Sequence, residues 1–170
     1  FSSERHSGIW RRLLASPVPR WKAIAGKLVP YFLIGLVQLG TLFVVGALAF
    51  GMKCAGSVPA LCVVTVVVVL CAVCLGMLVA SWGWNEKQIG SIVPVILLVL
   101  GLLGGCMYPR MLMPPFMKSL GLATPHGWAL DAYYALRVRS GTTLAAELPQ
   151  IGALLGFSAL FAVIGVRRFE

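Results

Sequence analysis

Four long apolar runs divide the chain, and the short stretches between them hold nearly all of its charges. The runs cover about Leu28–Phe50, Val58–Ser81, Ile89–Cys106 and Leu148–Val166, and none contains Asp, Glu, Lys, Arg or His. Roughly 20 apolar residues are needed to cross a bilayer as a helix. Lipid offers no partners for backbone N–H and C=O groups, so each run must satisfy them internally. The pattern predicts an all-α integral membrane fold with four transmembrane helices.

Composition supports the same fold class. Apolar residues make up 59% of the chain, charged residues 11%, and the mean hydropathy is +0.93. A soluble domain carries about 25% charged residues. The net charge of +9 is therefore interpreted as contact with anionic lipid headgroups. We expect the lipid bilayer, and no nucleic acid, as a partner.

The distribution of basic residues predicts the orientation of the spans. Four spans place the N-terminal segment, the 82–88 loop and the C-terminus on one side of the membrane. Nine of the fourteen Lys and Arg residues lie there: Arg5, Arg11, Arg12, Arg20, Lys22, Lys27, Lys87, Arg167 and Arg168. The positive-inside rule makes that side cytoplasmic, which predicts a multi-pass protein of the inner or plasma membrane.

Catalytic and metal-binding patterns are absent from the sequence. Gly26-Lys27 lacks the upstream glycine of a phosphate-binding P-loop. The two histidines, His6 and His126, fall on opposite sides of the predicted membrane. Cys71 and Cys74 spell C-x-x-C in the middle of an apolar span, where packing is favoured over thiol chemistry.

Polar residues inside the spans are few and uncharged. Gln38 and Thr41 lie one turn apart and share a helix face. Two interpretations remain open for them: hydrogen bonding between helices, and lining of a substrate path.

The N-terminal segment 1–27 has the pattern of an amphipathic helix. Ile9, Trp10, Leu13 and Leu14 recur at helical spacing, and Pro17 ends the helix. Such a helix serves either as an interfacial anchor or as a docking element for a cytoplasmic partner.

The segment 107–147, on the predicted outer side, is too apolar for an ordinary water-facing loop. Prolines interrupt it, and Thr124-Pro125 is typical of a helix cap followed by proline at the first helical position. We expect one or two short helices that enter the outer leaflet or seal the outer end of the bundle. Asp131 either faces water or pairs with Arg137 or Arg110.

These two segments together resemble type-2 ABC exporter permeases of the drug-export type. Glu4-Arg5-x-x-Gly8-x-x-x-x-Leu13-x-x-x-Pro17 is similar to the cytoplasmic coupling helix of that family. Tyr108-Pro109, Met113-Pro114 and the run from Thr124 to Tyr133 resemble its outer re-entrant helices, and Arg167-Arg168-Phe169 resembles its usual ending. Family members have six spans, so we expect this chain to be a piece of a longer protein.

The resemblance implies a transporter subunit that is not itself an enzyme and binds no cofactor. ATP and Mg²⁺ would be bound by a separate cytoplasmic ABC ATPase, and a second permease subunit would complete the path of a lipophilic substrate. It implies an ATPase-coupling role for Glu4, Arg5, Gly8, Trp10, Leu13 and Pro17. It implies an outer gate at Pro109, Pro114, Pro125, Trp128, Asp131 and Tyr133.

Two other functions stay open from the sequence. One is a structural membrane module, or a non-functional remnant of such a permease. The other is an intramembrane enzyme that uses Asp131 or His126, although no further acidic or metal-binding residues converge with them in the sequence.

Overall fold

The fold is helical throughout the part of the chain that the computed structural model describes, which is residues 20–52, 55–82, 86–108, 110–139 and 141–169. The long helices are α1 (Arg20–Phe50), α2 (Val58–Trp82), α3 (Glu86–Gly104) and α6 (Leu148–Phe169). Two short helices, α4 (Pro115–Gly121) and α5 (Pro125–Val138), lie between α3 and α6. The 3₁₀ turns Arg110–Leu112 and Leu144–Glu147 flank them. The expected all-α fold and the short helices of the 107–147 segment are confirmed.

Three helical segments are long and apolar enough to cross a membrane: Gly26–Phe50, Val58–Trp82 and Leu144–Arg168. In α3, the apolar stretch among the residues whose side chains the structure describes is Gly90–Gly104. The helix ends at Gly104, and Gly105 turns the chain with a positive φ of 92°. The predicted third span, Ile89–Cys106, therefore ends earlier than expected. A crossing by α3, and with it the count of four spans, stays a prediction.

The core lies where α2, α5 and α6 meet. Its buried residues are Ala60, Val64, Val67 and Cys71 of α2, Ala132 and Leu136 of α5, and Ile151 and Leu154 of α6. Small residues let the helices approach closely, which is how helices associate in lipid. At Gly165 of α6, an added Cβ would lie 2.9 Å from the Met77 methyl group. Cys71 and Cys74 are both buried in α2, in keeping with their interpretation as packing residues.

Helix α1 is largely exposed and touches the core along one stripe. A Cβ on Gly35 would lie 2.7 Å from Val69 Cγ1, so this glycine sets the close approach of α1 to α2. Most other α1 side chains, including Val37, Leu42 and Leu48, are exposed. Such a surface is stable only when it is covered by lipid or by another protein.

At the end of the bundle opposite Phe169, the connecting segments gather into one layer. We call this layer, which comprises the described residues 51–52, 55–57, 105–108, 110–139 and 141–147, the crown. Its two halves are joined by backbone hydrogen bonds from Gly56 N–H to Leu136 O (2.8 Å) and from Ser57 N–H to Thr142 O (3.1 Å). We call these two bonds the seam. The crown holds five of the six residues for which the family resemblance implies a gate role: Pro114, Pro125, Trp128, Asp131 and Tyr133.

Candidate functional site

An arginine–aspartate pair joins the exit of α3 to the middle of α5. Arg110 Nε donates to Asp131 Oδ1 at 2.7 Å, and Arg110 Nη2 donates to Asp131 Oδ2 at 2.8 Å. The remaining Arg110 Nη1 donates to the carbonyl oxygen of Gly104, the last residue of α3, at 3.1 Å. A bidentate guanidinium–carboxylate pair fixes direction as well as distance. We call Arg110, Asp131 and the Gly104 carbonyl the clamp.

The choice of Arg110 over Arg137 follows from helix geometry. Arg137 lies six residues after Asp131 on α5, and residues at that spacing point to different faces of a helix. Arg137 instead reaches the α1–α2 loop, where its Nη1 lies 3.5 Å from Met52 Sδ. Of the partners that the sequence left open for Asp131, the structure selects Arg110.

The clamp is partly shielded from water. The Arg110 side chain is 13% exposed, whereas the Asp131 side chain is 40% exposed. Solvent at the carboxylate screens the attraction, so the pair contributes modest energy. The pair therefore serves mainly to fix the position of the end of α3 relative to α5.

Gly121 and Gly127 make room for the guanidinium, and Gly104 makes room for the start of α5. A Cβ on Gly121, at the end of α4, would lie 2.6 Å from Arg110 Nη1 and 2.8 Å from Leu103 O. A Cβ on Gly127 would collide with Gly121 O, and one on Gly104 would collide with the Cβ of His126. The ends of α3 and α4 and the start of α5 thus meet backbone to backbone, which only glycine permits.

Helix α5 begins at Pro125, as the Thr124-Pro125 pair predicts. The Thr124 side chain does not cap the helix, however. Its hydroxyl donates to Gly121 O at 2.8 Å and so ties the start of α5 back to the end of α4.

Trp128 and Tyr133 connect α5 to neighbouring elements. Both pack against the core cluster, and Trp128 Nε1 donates to Leu122 O at 2.8 Å. Tyr133 OH donates to Thr65 Oγ1 of α2 at 3.2 Å, and its ring lies 5.4 Å from that of Phe43 of α1. Burial raises the pKa of Tyr133, which keeps the phenol a neutral donor. Tyr133 therefore links α5 to both α1 and α2.

His126 lies at the start of α5, over the end of α3. Its Nδ1 is buried and has no hydrogen-bond partner among the described residues. Burial lowers the pKa of His126, so the ring is neutral. Within the described ranges, His, Cys, Asp and Glu form no group of three that could hold a metal.

The other predicted site residues lie elsewhere or outside the described residues. Pro114 precedes α4 at its N-terminal boundary. Gln38 and Thr41 are exposed on α1, and the Thr41 hydroxyl donates to Val37 O of its own helix at 2.8 Å. For Gln38 and Thr41, both hydrogen bonding between helices and lining of a substrate path stay predictions. Pro109 and all six coupling residues, Glu4, Arg5, Gly8, Trp10, Leu13 and Pro17, lie outside the described residues.

Comparison with known proteins decides the family. The profile described as "ABC-2 family transporter protein" matches residues 1–167. The chain belongs to this family. The resemblance drawn from the sequence motifs is confirmed. No solved structure shows significant similarity to the chain.

Three curated relatives are similar over most of the chain. The "Linearmycin resistance permease protein LnrN" of Bacillus subtilis is 26% identical over 166 residues, which is 98% of this chain and 43% of that protein. The "Inner membrane transport permease YhhJ" of Escherichia coli is 26% identical over 170 residues, 98% of this chain and 45% of that protein. The "Probable multidrug ABC transporter permease YbhR" of Escherichia coli is 29% identical over 122 residues, 72% of this chain and 33% of that protein. The chain thus spans less than half the length of these relatives.

Proposed function

We propose that this ABC-2 family chain forms part of the transmembrane permease subunit of an ATP-driven exporter, and that its crown is the outer gate. The clamp is the observation that carries the gate assignment. It holds the exit of α3 to α5 by directional bonds from a single side chain, Arg110. Breaking these bonds separates two helices without disturbing the core of α2 and α6.

The gate works as a shift between two packings. In the closed packing, Arg110 bonds both Gly104 and Asp131, and Tyr133 holds α5 against α2. In the open packing, α3 moves away from α5 and water solvates the freed guanidinium and carboxylate. Asp131 is already partly exposed, so solvation offsets much of the lost attraction. A partner that binds one packing more tightly than the other drives the exchange.

That partner is a cytoplasmic ABC ATPase subunit, which binds ATP and Mg²⁺. The Glu4–Leu14 helix docks on it and transmits nucleotide-driven closure to the spans, with Glu4, Arg5, Gly8, Trp10, Leu13 and Pro17 at the contact. A second permease subunit completes the path. The N-terminal segment and the C-terminus lie in the cytoplasm, since basic residues flank the spans there.

The substrate class that fits best is lipophilic. The exposed face of α1 is apolar, and its mild polar groups are Gln38 and Thr41. Fixed charges are absent from all four predicted spans. Such a path suits a molecule that partitions into lipid, in line with the linearmycin resistance and multidrug permeases named among the relatives.

Transport by the full-length protein with its ATPase, reconstituted in inside-out vesicles, tests the proposal. We expect ATP-dependent accumulation of a lipophilic fluorescent cation in the lumen. The double variant Glu4→Ala with Arg5→Ala is expected to insert and to bind the ATPase. It should hydrolyse ATP without accumulating the dye, because the contact that transmits closure is altered.

A matched double variant, Arg167→Ala with Arg168→Ala, changes charge at the same membrane face but outside the coupling helix. We expect it to retain accumulation. Normal accumulation by the Glu4 and Arg5 variant, with the ATPase still bound, shows that the coupling assignment is wrong. Absence of ATP-dependent movement by the wild type for a panel of lipophilic dyes would rule out an exporter of this class.

A further inference from the structure

A carboxylate is buried in the crown where the chain enters α6. Glu147 ends the 3₁₀ turn Leu144–Glu147, which packs against α2 and α6. Glu147 is only 1% exposed. Its Oε2 atom is buried without a hydrogen-bond partner in the part of the chain that the structure describes.

A second buried acceptor without a hydrogen-bond partner in the described part of the chain lies in the next turn. The Oε1 atom of Gln150 is also buried, and no donor among the described residues reaches it. Glu147 and Gln150 are three residues apart, so their side chains share one face of the helical segment. Leaving a buried acceptor unpaired costs about 1–3 kcal/mol, and more when the group is charged. The region around Glu147 and Gln150 therefore lacks a hydrogen-bond donor among the described residues.

The charged groups facing Glu147 do not supply that donor. Arg139, which follows α5, interacts with the Glu147 carboxyl electrostatically. It is exposed, and no ion pair joins the two among the described residues. Helix α2 contains no Asp, Glu, Lys, Arg or His, and the only such residues in α6, Arg167 and Arg168, lie at its far end.

We propose that Glu147 is a proton-binding site of the closed crown. An ionised carboxylate only accepts hydrogen bonds, whereas the neutral acid carries an O–H that donates. The carboxylate takes a proton from a hydronium ion and releases water. The O–H formed on Glu147 donates to the unpaired Oε1 of Gln150, and protonation removes the charge from the buried Glu147 oxygen. A neutral acid also avoids the cost of an ionised carboxylate in an apolar environment.

Protonation of Glu147 depends on whether the seam is closed or open. Thr142, whose carbonyl accepts from Ser57 N–H at 3.1 Å, precedes the turn that ends at Glu147. Opening of the seam admits water to the turn, and hydrated Glu147 then ionises at neutral pH like an ordinary glutamate. The closed crown therefore binds one proton more than the open one.

Infrared difference spectroscopy of the purified full-length protein in lipid vesicles tests the site without any transport. We expect a carbonyl band of a protonated carboxylic acid at neutral pH that is lost in Glu147→Gln. The matched control is Glu86→Gln, which changes the glutamate at the start of α3, at the opposite end of that helix from the crown. It should leave the band in place. No difference at neutral pH between the wild type and Glu147→Gln in that band overturns the proposal.

A stability measurement on the wild type keeps the proposal testable if the variant misfolds. Because the folded protein holds the Glu147 proton more tightly than the unfolded chain, its melting temperature should fall as the pH rises from neutral to about 8, below the range in which unfolded thiols ionise. His126 acts in the opposite pH range: burial lowers its pKa, so it destabilises the fold only as the pH falls. A melting temperature that does not change between neutral and mildly alkaline pH contradicts a bound proton at Glu147.

Discussion

Asp131 is one of the few carboxylates of the chain, and its surroundings define what it can do. Arg110 uses two nitrogens on Asp131 and a third on Gly104 O, so the carboxylate orients a side chain that is itself bonded to the end of another helix. Replacing the carboxylate by an amide keeps the shape but removes the charge that holds the guanidinium in this direction. Asp131 is thus a positioning residue for α3.

We therefore predict that Asp131→Asn weakens closure of the crown. The loss of a half-exposed pair should lower the free energy of unfolding by about 1 kcal/mol. In vesicles the variant should leak a lipophilic dye or fail to export it, while the complex with the ATPase persists. Dye flux and co-purification of the ATPase are the two measurements.

Arg137→Gln is the matched control, because it removes a crown arginine that contacts Met52 Sδ and not Asp131. It should behave as the wild type in both measurements. If Asp131→Asn is silent as well, the clamp does not hold the gate. The crown would then be a plain hydrophobic plug.

Single-residue roles could be predicted only where chemistry alone decides them. A carboxylate in an apolar segment, such as Asp131, is stabilised by a basic partner. The sequence offered Arg110 and Arg137 as candidates for that partner. The selection needed the turn at Gly105, which brings Arg110 back over α3. Thr124 occupies the predicted N-cap position, but its side chain makes no capping bond. Its hydroxyl donates to Gly121 O, a contact that depends on how α4 approaches α5 and so could not be predicted.

At the scale of elements, helix α5 contacts its neighbours on two sides. Its Ala132 and Leu136 lie in the core with α2 and α6, and its first turn packs against the ends of α3 and α4. The side of α5 that faces the core is apolar, whereas the side that faces α3 and α4 consists of glycine contacts and the Arg110–Asp131 ion pair. We therefore expect the gate to move at the contacts between α5 and the ends of α3 and α4.

Gly127→Ala tests these contacts directly. A methyl group at residue 127 would collide with Gly121 O and lie 2.9 Å from Arg110 Nη1, so α5 must move away from α4. Such overpacking costs about 1–3 kcal/mol. We expect a lower melting temperature and a leak of dye like that of Asp131→Asn.

The control for this variant is Gly152→Ala in α6. A Cβ there meets nothing within 4 Å in the described part of the chain, and alanine favours a helix over glycine by up to about 1 kcal/mol. Gly152→Ala should therefore be neutral or slightly stabilising. Equal stability of the Gly127 and Gly152 variants would show that the backbone contact at α5 is looser than the structure has it.

At the scale of the molecule, apolar run lengths predicted the helices because lipid leaves the backbone no alternative. The starts of α2 and α6 agree with the predicted boundaries at Val58 and Leu148. Helix α1 begins at Arg20, upstream of the predicted Leu28, since charged and polar residues continue a helix into the interface without changing the apolar run. The glycine contacts and the seam could not be predicted, because they join residues far apart in sequence.

The position of α3 decides the topology of the whole molecule. Its nineteen residues give a length of about 28 Å at 1.5 Å per residue, against a hydrocarbon thickness of about 30 Å. We predict that α3 crosses, with Glu86 near one surface and the crown near the other. In a cysteine-free background, single cysteines near Arg12, Glu86 and Arg168 should react with a membrane-impermeant maleimide only from the cytoplasm. Cysteines near Ser57 and Lys118 should react only from outside. If those near Glu86 and Lys118 react from the same side, α3 does not cross and the chain has three spans.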